Sequence, residues 1–201
     1  MRERVKNRID DVLGMIQEDG IVQSYPTSAI NLLPFMKNCE IIEYRTFARA
    51  SGVSIQEIAM LMQSQDGCTT YDRVNDRYLI AVNTDRMPAR VEWTIAHEIG
   101  HVVAGHLLEF DSPHLPRKRY LEEEADYFAA NFLAPLYAIC LLRVTSQQDL
   151  QKKFGLSRTA AYRRWEEYQQ SGFGWREHAC RQRREFRPVN VWPDEGENFS
   201  L

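Results

Sequence analysis

The sequence predicts an α+β fold: a mostly helical chain around a small, antiparallel-rich sheet, followed by a pair of short helices. Three observations predict it. Apolar residues recur at helical spacing in 1–19, from about 85 to 105, and in 121–133. Residues 69–83 carry a hairpin pattern around a Val74-Asn75-Asp76 turn. Leu150-x-x-x-Phe154-Gly155-Leu156-Ser157-x-x-x-Ala161 reads as two helices about a glycine turn.

The elements follow in order. Val5, Ile9, Val12 and Ile16 form one stripe, so residues 1–19 are helical. Tyr25-Pro26-Thr27-Ser28 interrupts, and Ala29 to Met36 suits a short second helix. Glu40 to Tyr44 is strand-like. Ser54 caps a helix through Ile55, Ile58, Ala59 and Leu61, with Glu57 three residues on as in a capping box. The second hairpin strand is Arg77 to Asn83. A helix begins near Asp85 with Pro88 in its first turn, and Gly105 ends it. A polar connector with Pro113 and Pro116 spans 106–120, and the next helix stops before Pro135. Ser157 caps the second helix of the last pair, and the Arg-, Gly- and Pro-rich stretch beyond Gly172 is predicted to be irregular, with 193–201 disordered. The division expected is a main domain over 1–142 and a C-terminal helical subdomain with its tail over 143–201.

A chain of 201 residues, 44% hydrophobic and 26% charged, has an ordinary globular balance. The net charge of -3 points neither to nucleic acid nor to a membrane surface. Residues 143–187 are locally basic, with eleven Lys/Arg against five Asp/Glu, a weak pointer to an acidic partner or simply a solvated surface. The charged N-terminus is no signal peptide and no apolar run has the length of a membrane span, so a cytoplasmic chain is expected. Cys39, Cys68, Cys140 and Cys180 are scattered without a C-x-x-C pair, which predicts free thiols with no part in a metal site.

The chemistry concentrates in His97-Glu98-Ile99-Gly100-His101. Residues four apart on a helix share a face about 6 Å apart along the axis, so both imidazoles can meet one cation. Glu98, one residue on, can reach a metal-bound water without being a ligand. Three fixed residues are only moderately specific, so the third ligand decides. The spacing that needs Gly at 104 and His at 107 fails, because Ala104 and Leu107 stand there. His106 is assigned to the helix C-terminus, where it complements the dipole. The other arrangement takes a carboxylate from the next helix. Glu122, Ala125, Asp126 and Ala129 share one face, and the alanines allow close helix approach. Glu122 is the candidate ligand, with Glu124 as the weaker alternative, and Asp126 can accept the outer N–H of a ligating histidine. Glu123 fits an acidic first turn.

Arg90-x-x-x-Thr94-Ile95-Ala96-His97-Glu98-Ile99-Gly100-His101, then Glu122-x-Glu124-Ala125-Asp126-x-Phe128-Ala129 and Phe132-Leu133-Ala134-Pro135, resembles the ImmA/IrrE family of metallopeptidases. The likeness covers roughly residues 70–170, and the helices at 146–169 resemble that family's C-terminal helix-turn-helix-like segment. The family often has Met where Ala134 stands, and residues 1–65 match less clearly. The resemblance implies a zincin-like metallopeptidase core, with zinc held by His97, His101 and Glu122 and with Glu98 as the catalytic residue. It also implies a narrow protein substrate, a helix-turn-helix transcriptional repressor whose cleavage derepresses genes of a mobile element or stress regulon.

Three protein ligands leave one tetrahedral position for water, and Glu98 would pass that water's proton to the leaving amine. The Arg77–Asn83 strand is an expected edge for an extended peptide, with an ordinary half-buried sheet edge as the equal alternative. His114, Tyr120 and Tyr127 are oxyanion candidates, while Arg90 reads as structural. DNA binding by Arg158, Arg163 and Arg164 requires them on one exposed face, and adjacent Arg163 and Arg164 diverge by about 100°. The competing functional reading is a non-catalytic regulator or toxin–antitoxin component that binds a repressor or DNA; an intact Glu98 favours the peptidase.

Overall fold

A computed structural model describes residues 1–109 and 118–172. His114, Cys180, the connector over 110–117 and the expected irregular tail from 173 onward lie outside them.

Helix α1 (Glu3–Glu18) buries Ile9 and Ile16, the middle and end of the expected stripe. The next segment, Ala29–Phe35, is a 3-10 helix carrying Pro34. Glu92 anchors its start: Ser28 Oγ donates to Glu92 Oε1 at 2.9 Å and the Ala29 N–H donates to Oε2 at 3.0 Å. Strand β1 (Cys39–Glu43) leads straight into α2 (Tyr44–Ser51), so Tyr44 opens a helix where the sequence suggested the end of a strand. Its ring is buried and its hydroxyl donates to the Ser64 carbonyl at 3.1 Å. Helix α3 (Ile55–Leu61) begins with the expected capping box of Ser54 and Glu57.

Strands β2 (Gly67–Asp72) and β3 (Arg77–Val82) form the hairpin. Asp72 Oδ1 accepts from the Val74 and Asn75 N–H groups at 3.1 and 3.3 Å, which closes the turn. The sheet order is β1-β3-β2, with β1 parallel and β2 antiparallel to β3. It is therefore mixed, not antiparallel-rich. Local spacing reveals a hairpin, but the parallel partner Cys39–Glu43 comes from a distant segment and leaves no local mark. A second correction follows. Strand β3 is paired on both sides, so the edge expected at Arg77–Asn83 is the centre of the sheet, and the edges are β1 and β2. Alternation along β3 separates two clusters. Ile80 and Val82 join the main core, whereas Ala81 joins Tyr44, Ala48, Ile58 and Ala59.

Helix α4 (Pro88–Ala104) lies against β2 and β3, with Pro88 in its first turn and Gly105 ending it at φ 75°, a conformation that suits glycine. Arg8 of α1 donates to the last α4 carbonyl, Ala104 O, at 3.4 Å. After the one-turn α5 (His106–Glu109), α6 (Arg119–Leu133) packs on α4. Gly100 makes the approach close. A Cβ there would lie 2.8 Å from Ala125 O and 3.0 Å from Ala125 Cα, so only glycine fits. Ile99, Ala125, Phe128 and Ala129 are completely buried. A buried Ile or Phe contributes about 1.5–3 kcal/mol.

Short α7 (Leu136–Leu141) precedes α8 (Gln147–Phe154) and α9 (Arg158–Gln170), whose caps are Ser146 and Ser157. The last two helices fall where the sequence put them. Leu150, Phe154, Ala161 and Tyr168 enter the same core as Ile9 and Ile99. Arg158 and Arg163 are exposed, but Arg164 is buried. Arg164 Nε donates to Ala134 O at 2.7 Å, and its terminal nitrogens bond Asn131 Oδ1 at 2.8 Å and Glu167 at 2.6 Å. This arginine fastens α9 to the end of α6.

Cys39 and Cys68 are free thiols as expected. Among the described residues, no helix is long and apolar enough to cross a membrane.

Candidate metal centre

The site is built where α4 crosses α6. Four-residue spacing aims His97 and His101 to one side of α4, and Gly100 between them admits α6 closely enough for Glu122 to reach both. His97 Nε2 and His101 Nε2 are 3.1 Å apart. Glu122 Oε2 lies 3.3 Å from His97 Nε2, and its Oε1 lies 4.0 Å from His101 Nε2. One ligand atom from each residue falls within 4.8 Å of the others, a group that could hold a metal ion.

The donor set passes a geometric test. Tetrahedral bonds of about 2.0–2.1 Å place ligand atoms roughly 3.3–3.4 Å from one another. The His97–His101 and His97–Glu122 separations of 3.1 and 3.3 Å come close to this, and the shortest approach of Glu122 to His101, through its other oxygen, is wider at 4.0 Å; the half-exposed Glu122 side chain has room to swing. Two imidazoles and a carboxylate suit zinc among divalent ions.

The outer partners differ between the histidines. His97 Nδ1 lies 2.9 Å from Asp126 Oδ1, the second-turn carboxylate of α6. Donation from Nδ1 leaves Nε2 for the metal. Burial opposes a charge on His97. The Asp126 and Glu122 carboxylates and the nearby Glu98 charge outweigh it and hold its pKa up at about 10. His101 goes the other way, to about 2, mainly through burial, with the neighbouring His97 and His106 rings also opposing a charge on it. A divalent cation held there would take the place of the His97 proton and would be held by both rings at once.

Glu98 is buried, and Thr69 of β2 donates its hydroxyl to Glu98 Oε2 at 2.7 Å. Burial pushes the Glu98 pKa above the usual carboxylate range, opposed by His97 and by the Thr69 hydrogen bond. A buried carboxylate with one oxygen tied down and a raised proton affinity has the character of a general base. Thr69 escaped the sequence reading because it is 29 residues away and arrives only through sheet packing.

Glu124, the alternative ligand, takes no part in this group. It is completely buried and pairs with His106 Nε2 at 2.8 Å and with Arg2. Two residues beyond Glu122 on a helix, it points to a different side. His106 follows Gly105 into the interior instead of simply facing the helix dipole. Its Nδ1 lies 2.8 Å from His101 Nδ1. No local pattern announces the Arg2 contact, which spans 122 residues. Of the oxyanion candidates, the Tyr127 hydroxyl donates to Asp10 Oδ1 at 2.7 Å, and the Tyr120 ring lies beneath the Arg2 guanidinium at 4.9 Å. Arg90 pairs with Asp66 at 2.5 Å.

No curated protein matches the chain. The family model for the IrrE N-terminal-like domain of peptidase family M78 matches residues 43–166, which include the whole of α4, α6 and the His97, His101 and Glu122 group. With more than half of its length inside that match, and with two histidines and a glutamate gathered at the helix crossing, the chain belongs to the M78, or ImmA/IrrE, metallopeptidase family.

Proposed function

We propose that the protein is a zinc-dependent endopeptidase that cleaves a partner protein, a helix-turn-helix transcriptional repressor, and so derepresses genes such as those of a mobile element. The observation that carries the reading is the convergence of His97, His101 and Glu122 with buried Glu98 adjacent to the group. Zinc, when bound, acts as a Lewis acid on the scissile carbonyl and makes hydroxide available near neutral pH. Glu98 takes the proton of the attacking water and returns it to the departing amine. Thr69 holds one Glu98 oxygen and leaves the other for that transfer. Asp126 keeps His97 in the tautomer that presents Nε2.

Strand β2 is the edge that serves this chemistry. Its Thr69 touches Glu98, and among the described residues it pairs only with β3. An extended segment of the substrate would add to β2 by main-chain hydrogen bonds and carry its scissile bond past Glu98.

The test is co-expression with any helix-turn-helix repressor encoded beside this chain, followed by repetition with purified proteins and zinc. A discrete product that chelator abolishes is expected. Glu98→Ala should retain zinc and lose cleavage by about 10²–10⁴-fold, whereas His101→Ala should lose the metal. Full zinc loading with no cleavage of neighbouring repressors would favour a non-catalytic regulator.

A further inference from the structure

The main site does not use the buried group behind His101. Three side chains stand in line there. His106 Nδ1 is 2.8 Å from His101 Nδ1, and His106 Nε2 is 2.8 Å from Glu124 Oε2. His106 and Glu124 are both fully buried. Arg2 closes the line. Its backbone N–H and Nε donate to Glu124 Oε1 at 2.7 and 3.1 Å, and a terminal nitrogen donates to Oε2 at 2.9 Å.

The polarity of this line is forced from its far end. A guanidinium and a backbone N–H only donate, and an ionised carboxylate only accepts. His106 Nε2 must then be the donor to Glu124, and in a neutral imidazole that makes Nδ1 the acceptor. His101 Nδ1 must in turn donate to it, so the lone pair of His101 sits on Nε2. That nitrogen faces His97 and Glu122.

We propose that Arg2, Glu124 and His106 are positioning residues that lock His101 in its Nδ1–H form and thereby set the affinity of the site for a divalent cation. The proposal rests on the reading of His97, His101 and Glu122 as metal ligands. It makes the two histidines unequal: a half-exposed carboxylate orients His97, while fully buried His106 and Glu124, anchored by a partly exposed Arg2, orient His101. A merely structural ion pair between Arg2 and Glu124 would hold α1 to α6 without needing an imidazole at 106.

Zinc affinity of the purified full chain, measured by competition with a chromophoric chelator, tests the proposal. His106→Leu should weaken binding by about tenfold to 100-fold. His106→Asn should restore most of the loss, because its Oδ1 accepts where Nδ1 did. Arg2→Met should weaken binding several-fold. Nitrogen-15 spectra of the zinc-loaded protein should show the His101 proton on Nδ1 and the His106 proton on Nε2. A His106 proton on Nδ1 overturns the proposal, as does His106→Leu binding zinc as tightly as the wild type with only its unfolding temperature lowered. If His106→Leu fails to fold, the wild-type ring spectrum and Arg2→Met decide, and unchanged affinity in Arg2→Met overturns the proposal. A wild type that takes up no zinc removes the metal reading and this one together, whereas tight binding by both wild type and His106→Leu removes this one alone.

Discussion

Thr69 and Glu98 show what a single hydrogen bond does at this site. The hydroxyl holds one carboxylate oxygen inside a buried pocket and opposes the effect of burial on the glutamate. Thr69→Val keeps the shape and removes the donor. Hydrogen bonds to charged groups are worth about 1.5–3 kcal/mol, so turnover should fall about tenfold or more with zinc content unchanged. Cleavage kinetics beside metal analysis would check this, and undiminished turnover would contradict it. The free thiols make a second residue-scale case. Burial pushes Cys39 and Cys68 up to about 11, so both stay protonated through neutral pH. Alkylation of these two at pH 8 should be much slower in the folded protein than in denaturant, and equal rates would refute the assignment. At this scale the sequence speaks well only of neighbours. His97, Glu98 and His101 share two turns of one helix, and Glu122 with Asp126 share another, so their spacing could be read directly. Thr69, His106 and Arg2 reach the site through tertiary packing, and spacing carries no trace of them.

Among the elements, the crossing of α4 and α6 decides whether the site exists. Gly100 lies against the Ala125 backbone, and a methyl group there has no flexible neighbour to displace. Gly100→Ala should cost about 1–3 kcal/mol by overpacking and should also weaken zinc binding, because moving α6 outward withdraws Glu122. Unfolding curves and metal competition on one variant would check both effects; unchanged zinc affinity would show that the crossing does not position the carboxylate. Helix ends were legible where their chemistry is local. Ser54 with Glu57, Pro88, Gly105 and Ser157 each mark a terminus in the sequence, and each has its expected partner or backbone. The sheet was less legible. Tyr44 has the composition of a strand residue, yet its burial under α3 and its bond to Ser64 draw it into α2. The parallel pairing of β1 with β3 is non-local, so a hairpin reading assigned the open edge to the wrong strand.

Across the whole molecule, one core runs from Ile9 through Ile99 and Phe128 to Phe154 and Tyr168. Such continuity should give a single cooperative transition on heating, with both ends of the described chain melting together. Two separate calorimetric peaks would contradict it. A metal ion held by His97, His101 and Glu122 would join two long elements of that core, so zinc loading should raise the melting temperature and chelation should reverse the rise, in proportion to the logarithm of free metal over its dissociation constant. A melting temperature indifferent to zinc would count against ligation at the α4–α6 crossing. The Arg2–Glu124 pair also carries a practical lesson. The family likeness begins at residue 43, yet the chain before it supplies Arg2, just ahead of α1, to neutralise a fully enclosed carboxylate, and Ile9 and Ile16 of α1 to fill the interior. A fragment trimmed to the recognisable segment would carry every metal-binding side chain and still leave an enclosed carboxylate with His106 but without its guanidinium, so it is the wrong piece of this protein to express.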